Sequence, residues 1–187
     1  MKTLFRTACL LLVCFTSALA KDQEETIFLF QNRKVNVVVP KGLGFSSDKD
    51  ERGVMTVQVA DPKGTVHLHL TFLPDGENQF GSPRGRKEFL HDTFKGDVSS
   101  SVEKAMQFEE LEPKSGAGTY YVVTDASLVG KTKLPAGEFL HCTTGVKTWP
   151  GVVVIFKLFS NDVHSKEYQA AMAMLRESVQ EKPAVGP

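Results

Sequence analysis

The chain has 187 residues, 22 of them Lys or Arg and 22 Asp or Glu, and three are cysteines. A formal net charge of zero leaves no basic footprint for nucleic acid or for an acidic membrane surface. Neither the composition nor the pattern suggests a repeat, a low-complexity tract or a second domain boundary.

The first element reads as a cleavable secretion signal over residues 1–20. Lys2 and Arg6 form a positive start, Leu10 to Phe15 a short apolar run, and Ala18-Leu19-Ala20 a small-residue cleavage site. The run falls short of the roughly 20 apolar residues that span a bilayer. Val13, which is not small, argues against a lipid anchor at Cys14. Cleavage after Ala20 leaves 20 basic against 22 acidic residues, a net charge of −2, and Cys142 as the one remaining cysteine. The expectation is a secreted or periplasmic protein with no internal disulfide and no stable membrane insertion after cleavage. Without an Asn-x-Ser/Thr sequon, bacterial export is favoured over eukaryotic secretion.

Residues 21–181 are expected to form a single α+β domain, with 182–187 as a loose Pro- and Gly-containing tail. Thr26 to Gln31 and Lys34 to Pro40 read as a hairpin with Asn32-Arg33 at its tip and Val35, Val37 and Val39 on one face. Gly53 to Ala60 and Thr65 to Leu73 alternate apolar and polar around Asp61-Pro62-Lys63-Gly64, which predicts a second hairpin. Ser82-Pro83 predicts the start of a helix that buries Phe89, Leu90 and Phe94 and stops at Gly96. Strands are then expected over Met106 to Leu111, Thr119 to Ser127, Glu138 to Val146 and Gly151 to Ser160. In the last, Val152 to Phe156 is apolar on both faces, as in a central strand. Asn161-Asp162 reads as the cap of a closing helix, on which Tyr168, Met172, Leu175 and Val179 recur at helical spacing.

Strands in runs, with one helix between them and one at the end, predict an antiparallel sheet flanked by helices. Val37-Val38-Val39-Pro40-Lys41-Gly42 closes the opening hairpin; a meander and one helix come next. Tyr120-Tyr121-Val122-Val123, the segment Gly151 to Phe159 and a terminal helix ending on Leu175-Arg176-Glu177-Ser178-Val179 follow. This layout resembles the PsbP-like family over most of the chain beyond the leader, in pattern more than in motif. The resemblance implies an α/β/α sandwich around an antiparallel sheet. It also implies the company of an accessory subunit of the photosynthetic oxygen-evolving complex and of non-enzymatic binding proteins. No metal- or partner-binding position of the photosynthetic protein can be matched in this chain.

Among residues that could carry chemistry, His67-Leu68-His69 stands out. Positions i and i+2 of a strand project from one face, so two imidazoles stand side by side and could begin a divalent-metal site. Such a site wants further ligands, for which His141, Glu138, His91 and Asp92 are candidates. The alternative is the plain polar face of a half-buried strand, formed by Thr65, His67, His69 and Thr71.

The other patterns are weaker. Cys142 and His141 are adjacent on a strand and point to opposite faces, which excludes a thiol–base pair and leaves an inert, buried Cys. Asp48-Lys49-Asp50-Glu51-Arg52-Gly53 lacks the later ligands of a calcium loop and reads as a solvated turn. Gly81-Ser82-Pro83-Arg84-Gly85 is no nucleophile elbow, because Pro83 breaks the required geometry. Gly42-Leu43-Gly44 precedes no helix and cradles no phosphate. Glu109, Glu110 and Glu112 read as a solvated strand end. The segment Leu128 to Gly137 is a long inter-strand loop of the kind that carries binding function, and Trp149 reads as half-buried cover in another connection. No cofactor motif emerges. The expected function is an exported, non-catalytic binding or accessory protein with an unknown protein or small-molecule partner. The alternative is a metal-binding protein or metal-dependent hydrolase built on His67 and His69.

Overall fold

The computed structural model describes residues 22–181, so the leader and the expected C-terminal tail lie outside the described residues. The chain is a mixed α+β structure with two antiparallel sheets and two helices. The opening hairpin joins β1 (Gln23–Phe28) to β2 (Lys34–Val39), with Val35, Val37 and Val39 buried as the alternation predicts. Its connection contains a 3-10 turn, Phe30–Asn32, in which Gln31 and Asn32 take positive φ. The short strand β10 (Val179–Gln180) completes this small sheet by pairing with β2.

The large sheet has seven strands. They are β3 (Gly44–Lys49), β4 (Met55–Ala60), β5 (Val66–Pro74), β6 (Glu109–Glu110), β7 (Ala117–Thr124), β8 (His141–Trp149) and β9 (Val152–Ser160). Their order is β3-β4-β5-β9-β8-β7-β6, which puts β9 in the middle, as its two apolar faces demand. Helix α1 (Pro83–Ser99) packs on β7 and β8, and helix α2 (Lys166–Glu177) packs on β2, β5 and β9. The helices use opposite faces of the large sheet. Val152, Val154, Phe156 and Leu158 of β9 join Ala171, Met172 and Leu175 of α2 in one core. Val153, between them in sequence, joins Leu90 and Val98 of α1, with Tyr121 and Val146, in another.

Several expected boundaries move. Gly96 does not stop α1, which runs on to Ser99 because Val98 is buried and Asp97 accepts from Lys157 Nζ at 2.8 Å. The stretch ahead of the Asp50 turn forms β3, an edge strand whose polar Ser46, Ser47 and Asp48 hide it from any hydrophobic pattern. Only Glu109–Glu110 of the expected Met106–Leu111 strand pair in the sheet. β7 is Ala117–Thr124 where Thr119 to Ser127 was expected. β8 begins at His141 and continues through Lys147 to Trp149, so the connection to β9 is just Pro150-Gly151. Trp149 is therefore strand and core, 3% exposed, and not half-buried cover in a loop. Ser165, rather than Asn161-Asp162, caps α2 by accepting from Tyr168 N, and Val179 belongs to β10.

Two buried cations hold the layers together. Arg86 on α1 is 2% exposed and donates to Thr119 Oγ1 at 2.8 Å, Glu110 at 2.9 Å and the carbonyls of Phe80 and Gly81. Glu109 accepts from the Tyr120 hydroxyl at 2.6 Å. Glu109 and Glu110 are the solvated strand end the sequence suggests, exposed on the edge strand β6, and they also tie down groups of the sheet and of α1. The second cation is Lys147, which lies beneath the end of α2.

Candidate functional site

The site follows from the period of β5. Val66, Leu68, Leu70 and Phe72 fill the core, so His67 and His69 stand on the opposite face. Pairing partners across a sheet share a face. His67 lies in a row with Phe159 and Cys142, and His69 in a row with Lys157 and Thr144. This is the face that α1 covers over β7 and β8. At the near edge of the helix, Lys157 is held by Asp97 and lies 4.8 Å from the Phe94 ring centroid.

The two imidazoles stand as expected, nearly parallel at 24° with ring centroids 6.4 Å apart. Phe139 flanks His67 at 5.2 Å, Phe159 flanks His69 edge-on at 5.9 Å, and the two phenyl rings are 5.7 Å apart. Four rings therefore form a closed cluster. Phe139 comes from the long connection before β8, whose Leu134 to Gly137 share with it the lining of a cleft. The cleft has a volume of about 760 Å³, and His67, His69, Lys63 and Phe159 line it as well. A smaller cavity of about 340 Å³ shares Phe139 and Phe159 and extends to Asp97, Asp125, Cys142 and Lys157. The segment singled out in the sequence for its length thus forms one wall of the cleft. Its backbone bonds are local, such as Glu138 N to the Pro135 carbonyl and Lys131 N to the Leu128 carbonyl.

The proposed further ligands divide. Glu138 lines the cleft. His141 pairs with Ser160, in the row of Val66, so it points to the other face and meets Thr124 Oγ1 at 3.1 Å. His91 and Asp92 are exposed on α1 and lie 3.1 Å from each other. Among the described residues, no group of three or more His, Cys, Asp or Glu stands close enough to hold a metal ion. Two imidazoles without a third protein ligand do not build the three-ligand centre of a metal hydrolase. Burial, and then the neighbouring His67, hold His69 below the usual imidazole range.

Comparison with family models, with curated proteins and with solved structures found no match. The site must be read from its own geometry.

The remaining candidates are structural. Cys142 faces away from His141, lies 3.5 Å from Thr144 Oγ1, and burial pushes its thiol up, which disfavours the reactive thiolate. The Asp50 carboxylate accepts from the backbone of Arg52 and Val54, closing the β3–β4 turn. Ser82 accepts from Gly85 N as the cap of α1. Gly42 takes φ of 89° in the turn before β3. Sequence reasoning missed Arg86 and Lys147. A lone basic residue in an alternating strand or a helix carries no mark of the acceptors that will surround it.

Proposed function

We propose that the protein is an exported, non-catalytic binding or accessory protein. Its ligand lies in the cleft between β5 and the connection before β8. The observation that carries this reading is the wall itself: His67, His69, Phe139 and Phe159 form one ring-lined surface beside about 760 Å³ of space. Ligand sites combine an apolar or aromatic lining with a few polar groups. Here Lys63, Thr65 and Asn161 supply those groups. The connection bearing Phe139 is a long loop carried on the sheet, the kind of segment in which binding function concentrates.

Export rests on the leader pattern of Lys2, Arg6, the apolar run and Ala18-Leu19-Ala20. The PsbP-like sandwich is our reading of the fold at the finer level. It draws support from the order of hairpin, meander, helix, paired long strands and closing helix, and from the use of both faces of the large sheet by helices.

A photo-crosslinking residue placed at position 139, in the protein expressed in its native host, tests the site. One discrete adduct, absent when the same residue replaces the exposed Glu51, is the expected result. Crosslinking that is equally diffuse at both positions would remove the cleft as the site.

A further inference from the structure

The cleft does not end at its ring wall. The smaller cavity of about 340 Å³ has Gly137, Glu138, Phe139 and Phe159 in common with it, so the two spaces meet along the two phenyl rings. From there the smaller cavity reaches the end of α1 at Asp97, Ser100 and Ser101, and Asp125 just beyond β7.

Charge is divided unevenly between the two spaces. The lining of the cleft holds Lys63 and a single carboxylate, Glu138, which is the one it shares. The lining of the smaller cavity holds three carboxylates, Asp97, Asp125 and Glu138, against the one ammonium of Lys157. Lys157 is already paired with Asp97 at 2.8 Å. Asp125 accepts from Ser127 N, and among the described residues neither Asp125 nor Glu138 has an ion-pair partner. The smaller cavity also lies at the C-terminal end of α1, the negative end of its dipole. That end already attracts one cation, for Lys104 donates to the Ser99 carbonyl at 2.9 Å from outside the cavity lining.

Two features therefore stand side by side. One is a wall of four rings, suited to an aromatic body; the other is a pocket with two uncommitted carboxylates, suited to a positive group. Phenyl faces at the junction attract a cation further. Burial and the neighbouring His67 hold His69 below the usual imidazole range, so this ring is uncharged near neutral pH and does not repel an ammonium. Lys63, at the cleft alone, disfavours the reverse orientation.

We propose that the ligand of the cleft is an aryl-alkyl amine. Its ring lies against His67, His69, Phe139 and Phe159, and its ammonium enters the smaller cavity between Glu138 and Asp125. This rests on the cleft being the ligand site and names the chemical class of its ligand.

The test uses tryptamine as probe and indole-3-propionate, the same ring with an anionic tail, as its counterpart. Calorimetry on the purified protein should show one tryptamine bound saturably per chain, and indole-3-propionate weaker by roughly tenfold or more, as expected when a charge meets like charge. Glu138→Gln and Asp125→Asn should each weaken tryptamine several-fold and narrow its advantage over the anion. Phe139→Ala should weaken both compounds, and Asp92→Asn, on the exposed side of α1, should change neither. Circular dichroism verifies that each variant is folded. No saturable binding of tryptamine, an anion that binds as well, or full affinity in the Glu138→Gln/Asp125→Asn double variant overturns the proposal. A discrete adduct at position 139 alongside any of these results would overturn the amine alone and leave the cleft as the site.

Discussion

The Lys147 ammonium donates to the Leu175 carbonyl at 2.6 Å, joining the middle of the large sheet to the last turn of α2. It also donates to the Ser178 carbonyl at 2.8 Å and to Ser178 Oγ at 2.9 Å. Three acceptors use all three N–H bonds, which only the protonated amine possesses. A cation at a helix C-terminus is favoured by the helix dipole. The Trp149 ring adds a face 4.5 Å from the nitrogen. Burial pushes the amine down to about 7, and Glu177 pulls it the other way.

Lys147→Met keeps the length and apolar stem of the side chain but removes every donor. The Ser178 carbonyl then loses its partner inside the protein. An unsatisfied buried acceptor costs about 1–3 kcal/mol. We expect a loss of that size in urea denaturation, with faster amide exchange at Val179 and Gln180, where β10 pairs with β2. A variant as stable as the parent would show that the contacts to α2 contribute nothing.

Cys142→Ala should leave ligand binding intact and cost about 1–2 kcal/mol. Among the described residues the thiol has no cysteine partner, and the Cys142 face of β8 is not the face of His141. Loss of the adduct at position 139 in a folded Cys142→Ala protein would assign the thiol a role in the site.

Much of this architecture is legible in residues that alternate. Val35, Val37 and Val39, or Leu68, Leu70 and Phe72, report a buried face through composition alone, and the strand period places His67 beside His69. β3 is not legible, because an edge strand with a solvent face need not alternate, and Gly44–Lys49 gains its pairing from β4. Gly96 misleads for a related reason: a helix ends where its packing ends, and Val98 and Asp97 pack beyond the glycine. Phe139 could not be placed from sequence. Its contact with His67 joins a loop to a strand some seventy positions earlier, and no local pattern encodes that pairing.

Acid should destabilise the protein through His141. Burial outweighs the opposing pull of Glu103 and Asp162 and holds this imidazole below its ordinary value of 6.5 in the folded chain. Below 6.5 the unfolded chain therefore takes up a proton that the folded chain still refuses, so stability falls with falling pH until the folded value is passed. The contribution is fully present above 6.5 and is lost beneath it. We expect the melting temperature to drop between pH 7 and pH 5, and His141→Gln to flatten that slope. An unchanged slope in the variant would locate the acid sensitivity in other groups.

Free zinc should stabilise the chain very little. Zinc in proteins prefers four ligands in a tetrahedron, usually three or four of them from the chain. His67 and His69 provide two, and no third His, Cys, Asp or Glu of the described residues completes the set. Binding to the native state stabilises by RT ln(1 + [L]/Kd), so a thousandfold excess over Kd contributes about 4 kcal/mol. A two-ligand site with a Kd near the working zinc concentration contributes about 0.4 kcal/mol by the same relation. Thermal unfolding with and without zinc, in the parent and in the His67→Gln/His69→Gln variant, measures the difference. We expect the two proteins to respond alike, within a degree or so. A zinc-dependent rise of several degrees, abolished in the double variant, would mean that a further ligand moves in to complete the shell. Glu138, which lines the cleft, would be the first residue to substitute, and the hydrolase alternative would then regain its metal centre.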